Sequence, residues 1–383
     1  MTHRESPGTT MVVLREPGEV YVLRHGFGDD APCWVEQVDP ITLEVRRRSP
    51  DLAGGPMWPG SMAAHADGSL HVVFGNHAHR LAADLTVLAS VELPRRRPYN
   101  GFVTLPDGHL VTKDFAGRRP GQPDEPREPC ELLLLDPASL AVVARLHLDE
   151  PSIARLSADG DDIYVVGDTS LVRVRWDGAS LTLDDGFVAP YRTLPGQTYG
   201  WDAVIALGAA WFLDDGEGTD RYNGSFRGMG ISTAPLGILR VDLTTAAVTR
   251  TEVCGLPGGL IANPPLVDID RRIVVGYDSG NGVVTAFDIG DDGTLTKRWE
   301  RDLDHAAHPL LFTTTGELVL GDHDSERMAD QVVVVDIRNG AELARADTGS
   351  PLQSVVFHAP GFDRDAYLCS MATLTRISAE REP

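Results

Sequence analysis

Short runs of alternating apolar and polar residues, rich in Val and Leu, recur along the whole chain, each stopped by Gly, Pro, Asp or Thr. Runs of this kind predict β-strands. No segment keeps a helical period. The unit is clearest from Asp304 to Ile337. There Pro309 to Thr313 predicts a first strand, and Thr314-Thr315-Gly316 turns it into a second, Glu317 to Leu320. A polar loop leads to a third strand, Gln331 to Val335, which ends at Asp336.

The unit repeats. Equivalent third-strand ends fall at Val38-Asp39, Asp84, Leu135-Asp136, Trp176-Asp177, Val241-Asp242, Phe287-Asp288 and Ile377-Ser378. First hairpins such as SMAAHADGSLHVV and GFVTLPDGHLVTK turn on Asp-Gly, Pro-Gly or Thr-Gly, which are strong hairpin signals. Four short antiparallel strands per roughly 40–50 residues match a β-propeller blade. The expected fold is therefore an all-β propeller, one domain over residues 1–383, with eight four-stranded blades favoured and seven the alternative. The eighth unit lacks an outer strand, which residues 2 to 10 would supply by pairing the two ends of the chain.

The hairpin from Leu105 to Val111 and the strand end from Val333 to Leu343 resemble the propeller superfamily of quinoprotein-like, YVTN-repeat and SMP-30/gluconolactonase proteins. The resemblance covers most of the chain, and its motifs mark a fold, not an activity.

Composition narrows the class. Apolar residues make up 42% of the chain, enough for a packed core, and no apolar run reaches the roughly 18 residues of a membrane span. The N-terminal MTHRESPGTT does not read as a signal peptide, so a cytoplasmic protein is expected. A net charge of −22 argues against nucleic acid or an anionic membrane as partner. The four cysteines, Cys33, Cys130, Cys254 and Cys369, are far apart and form no zinc-ribbon spacing. A small molecule is the expected partner; oligomeric state stays open.

Candidate chemistry follows from aligning the blades. Loops between second and third strands share a face with the blade-to-blade connections. Three of them are long: Phe115 to Cys130, Gly216 to Pro235 and His323 to Asp330. Long loops in a compact domain suit a lid or rim. Asn100, Asn263 and His308 occupy equivalent positions where their blades enter the innermost strand, with Asp202 in the corresponding region of the fifth. SMP-30-like and paraoxonase-like propellers hold a divalent cation on the axis, and that resemblance makes Asn100, Asp202, Asn263 and His308 candidate ligands. Calcium or magnesium suits such oxygens, and an imidazole shifts the preference towards zinc, manganese or iron. The early Glu of those families has no equivalent here.

Asp322 and His323, in Gly321-Asp322-His323-Asp324, align with Asp114 in the third blade and read as a base beside a carboxylate or as a ligand with its orienting partner. Trp58, Tyr99, Tyr199 and Trp201, with Asp114, would line an organic ligand. The leading reading is a small-molecule enzyme, with His308, His323 and Asp322 catalytic. A metal would assist hydrolysis of a lactone or ester, or a related lyase or isomerase reaction. A non-catalytic binding propeller and a His-ligated redox-metal propeller remain as alternatives.

Overall fold

The computed structural model describes residues 1–58, 60–117, 126–219, 225–261, 263–352 and 358–379, and for His308 the backbone alone. Among the described residues, thirty β-strands form seven antiparallel sheets, six of them four-stranded and in simple up-and-down order. This is a seven-bladed β-propeller. Blades one to three lie in a compact unit comprising residues 1–115, 131–147 and 348–383. Blades four to seven lie in a second, residues 116–130 and 148–347.

Seven blades correct the favoured count of eight. The first and last units of the sequence pattern merge into one six-stranded sheet, in the order His358–Pro360, Asp365–Ser378, Thr2–Leu14, Val20–His25, Cys33–Val38, Val45–Arg48. The cause is the length of Thr2–Leu14. Its early residues pair with the C-terminal strand (Thr2↔Arg376, Glu5↔Thr373), and its later ones with the next strand (Met11↔Leu23, Leu14↔Val20). Its register against the C-terminal strand shifts between Glu5 and Thr9, where Gly8 takes a φ of 73°. The Cβ of any other residue at Gly8 would lie 2.1 Å from the His25 carbonyl oxygen. Residues 2 onward do pair with the chain's other end, as expected, but within a shared sheet.

Within each blade, burial follows strand position. Second and third strands such as Leu70–Phe74, Glu131–Leu135 and Ala209–Leu213 are buried throughout, which explains why they are mostly apolar. The outer strand Val142–His147 alternates half-buried and exposed residues along its length. In the first unit Tyr21, Leu23, Val35, Met62, Leu70 and Phe74 share one core cluster. In the second, Tyr164, Phe187, Tyr191, Phe212 and Leu239 share another. Each such side chain contributes about 1.5–3 kcal/mol by leaving water.

The repeated Asp at third-strand ends is a turn device. Asp39 accepts the amides of Ile41 and Thr42, Asp136 those of Ala138 and Ser139, and Asp242 those of Thr244 and Thr245. The residue four positions after each Asp (Leu43, Leu140, Ala246) then takes a positive φ; after Asp336 that residue is Gly340. The strands bulge just before Asp39, Asp136 and Asp336. Amide donation from Thr42 and Ile41 holds the Asp39 carboxyl at about 2.

Candidate functional site

The second strands of several blades end on a buried aspartate that ties down neighbouring backbone. Asp114 accepts the amide of Glu131 at 2.6 Å and pairs with Arg95 and Arg97 at 3.1 and 2.9 Å. Asp214 accepts the amide of Gly237 at 2.6 Å, Arg250 Nε at 3.0 Å and Gln197 Nε2 at 2.8 Å. Asp278 accepts the amides of Leu260 and Asn281 at 3.2 and 3.1 Å. Asp322 accepts the amides of His305 and His323 at 3.1 and 2.9 Å, and its Oδ2 meets Arg345 Nη1 at 2.5 Å. The alignment of Asp114 with Asp322 therefore marks a shared anchoring geometry. Both oxygens of Asp322 are engaged, so it orients what lies beside it.

What lies beside it is His323. The expected loop from His323 to Asp330 proves to be a tight turn. Strand Glu317–Asp324 pairs with Ala329–Asp336 up to His323↔Asp330 and Asp324↔Ala329, so His323 stands on a strand. It is 3% exposed, and among the described residues its ring makes no hydrogen bond; Nδ1 is sealed from solvent without a partner. Burial lowers its pKa, against the upward pull of Asp304, Asp322 and Asp324. At neutral pH the ring is therefore an uncharged imidazole.

His323 lines a pocket of about 380 Å³ together with Arg227, Asp302, Asp304, Asp322, Asp324, Gln331 and Arg345. The pocket lies wholly in the second unit. Its walls are mutually braced. Arg345 Nη1 also reaches Gln331 Oε1 at 2.8 Å, and its Nε reaches Glu342 at 3.2 Å. Gln331 Nε2 donates to Asp347 at 2.6 Å, and Asp347 also holds Arg327. A rigid polar wall around one unpaired ring is an arrangement that can orient a ligand.

None of the other sequence candidates is among the residues lining this pocket. In the first unit, Tyr99 is fully buried against Val73, Leu110 and Leu133, where burial pushes its pKa up, and it acts as packing. Trp58 is half-buried and stacks on Phe115 with ring centroids 4.3 Å apart. Asn100 is 4% exposed. In the second unit, Tyr199 lies under the Arg127 guanidinium at 4.2 Å, and the Trp201 amide donates to the Leu213 carbonyl. The Asn263 carbonyl accepts the Tyr277 hydroxyl at 2.8 Å. Parts of two expected lid loops, residues 118–125 and 220–224, and the His308 side chain lie outside the described residues.

At Asp202, one of the four expected metal ligands, an arginine already holds the carboxylate. Asp202 Oδ1 accepts the Arg155 amide at 2.6 Å, and Oδ2 faces the Arg155 guanidinium at 3.5 Å, so a cation there would compete with an arginine. Among the described residues no three His, Cys, Asp or Glu side chains converge as metal ligands. No step through a metal is derived.

One notable residue escaped sequence reasoning. Asp215 follows Asp214 at the end of strand Ala209–Leu213, is 0% exposed, and holds a φ of 64°. Its Oδ1 accepts the Thr198 amide at 3.1 Å, and its Oδ2 is sealed from solvent. Burial, and after it the Asp214 charge, raise its pKa to about 7. The nearby Ser232 hydroxyl offsets this little, being within reach of the Gly196 and Ala234 carbonyls. The only signal in the sequence is a pair of adjacent aspartates after an apolar strand.

No family model matches the chain, and no curated protein matches it by sequence. Solved structures do match. BamB from Moraxella catarrhalis is 12% identical with a TM-score of 0.61, covering 99% of this chain and 99% of its own. The computationally designed Ika8 protein is 11% identical with a TM-score of 0.64, over 98% and 97%. Apo AztD from Citrobacter koseri is 13% identical with a TM-score of 0.53, over 90% and 87%. At such identities the likeness shows a shared propeller fold and nothing of activity.

Proposed function

We propose that this chain binds a small polar organic molecule in the pocket of its seventh blade, beside His323. The observation that carries this reading is the buried, unpaired imidazole in the wall of a pocket of about 380 Å³. That volume lies in the range of small-molecule sites.

A second reading adds chemistry, favoured by the lowered pKa of His323. A neutral imidazole can take a proton from water attacking a lactone or ester carbonyl, while Asp322 holds the backbone at His323 in place. Hydrolysis of γ-butyrolactone and p-nitrophenyl acetate by the purified protein tests it. His323→Gln should lower turnover at least about a hundredfold with the unfolding midpoint little changed. Equal turnover in the variant, or none in the wild type, removes the hydrolytic reading.

A further inference from the structure

We infer that the pocket beside His323 selects a ligand carrying a positively charged nitrogen, a primary amine or a guanidinium. This rests on reading that pocket as the ligand site. The lining holds four carboxylates (Asp302, Asp304, Asp322, Asp324) against two guanidinium groups (Arg227, Arg345). Both cations are already engaged by the protein, Arg227 through one of its three nitrogens. Arg345 is shared among Asp322, Gln331 and Glu342 through all three of its nitrogens. Arg227 Nη1 reaches the carbonyls of Leu303 and Asp304 and the Asp304 carboxylate at 3.1 Å.

The carboxylates are not all spent. Among the described residues Asp302 makes no side-chain hydrogen bond or ion pair, and it is exposed at the end of strand Leu295–Asp302. Asp324 uses Oδ1 for the amides of Glu326 and Arg327, and its Oδ2 meets Arg327 only at 3.6 Å, while Arg327 is held more closely by Asp347. His323, 3% exposed and unpaired, adds an uncharged wall to the same space. An anion would meet two excess negative charges in the lining. A neutral donor could hydrogen-bond to Asp302 or Asp324 but would leave their charge uncompensated. An ammonium or guanidinium group supplies the missing donors.

The test uses the full chain, labelled with ¹⁵N-histidine, and four probes built on a four-carbon chain: agmatine, n-butylamine, butyrate and 1-butanol. The His323 ring signal, assigned with His323→Gln, reports occupancy. Agmatine and n-butylamine should shift it saturably, butyrate and 1-butanol should not, and Asp302→Asn/Asp324→Asn should weaken agmatine at least tenfold. If butyrate or 1-butanol moves the signal and the amines do not, the pocket stands as a ligand site and the cationic class is wrong. Agmatine affinity unchanged in the double variant also overturns the class. If no probe moves the His323 signal, both the class and the site fall.

Discussion

Asp215→Asn is expected to stabilise the protein by roughly 1–3 kcal/mol at pH 8 and to leave it nearly unchanged at pH 4. The sign follows from the direction of the shift. The folded-state pKa is raised from the ordinary 3.8 to about 7, chiefly by burial and then by Asp214. Below about pH 4 both folded and unfolded chains hold the proton, and Asp215 makes no difference. As pH rises through the interval up to about 7, the unfolded chain releases the proton first, so stability declines and then levels off. A full shift of this size corresponds to about 4 kcal/mol at most. The recovery in the variant is smaller because an amide in a sealed site still lacks partners. Asparagine keeps an acceptor for the Thr198 amide and tolerates a φ of 64°. Chemical denaturation at pH 4, 6 and 8 measures the effect. A variant less stable than wild type at pH 8, or equally shifted at every pH, would falsify the account of Asp215.

The second large effect concerns its neighbour. Arg250→Leu should destabilise the fold by about 3–5 kcal/mol at pH 8, because it strips the cation from a fully buried carboxylate. Asp214 would keep Gln197 Nε2 and the Gly237 amide, which satisfy oxygens without neutralising charge. Burial already raises the Asp214 pKa against the pull of Arg250, so without the arginine it escapes the cost at lower pH by binding a proton. The loss should therefore shrink at pH 5. Adding Asp214→Asn should restore much of the stability at pH 8, and because Asp214 is also a cause of the Asp215 shift, it should lower the Asp215 pKa. Arg250→Leu losses that are additive with Asp214→Asn would show that the pair is not coupled.

The two predictions bear on what could be read from the letters. The turn chemistry was legible because it is local: Asp39, Asp136 and Asp242 bond to amides two and three residues on, and the sequence carries that spacing. Blade count was not, because it turns on one strand, Thr2–Leu14, serving two neighbours, one 6 to 15 and the other 362 to 374 positions away. Equivalence of Asp114 and Asp322 was legible from the hairpins, whereas their partners were not. Asp114 is paired from Arg95 and Arg97, ahead of it in the chain, and Asp322 from Arg345, behind it. The candidate metal set shows the same limit. Blade alignment placed Asp202 before an innermost strand, but the Arg155 that occupies it comes from the preceding blade and no local pattern announces it. His323 is the centre of the proposed site for a different reason from the one its loop-like letters suggested. It is on a strand, sealed, and unpaired.

That state of His323 is measured most directly by its own titration. In ¹⁵N-histidine-labelled protein, with the signal assigned by His323→Gln, the ring is predicted to be uncharged at pH 7 and to protonate below the ordinary value of 6.5, because burial outweighs Asp304, Asp322 and Asp324. A midpoint above 6.5 would mean an imidazolium held by those carboxylates or by Asp330 across the strand pair. The ring would then already be partnered, and the pocket would have no unpaired group waiting for a ligand.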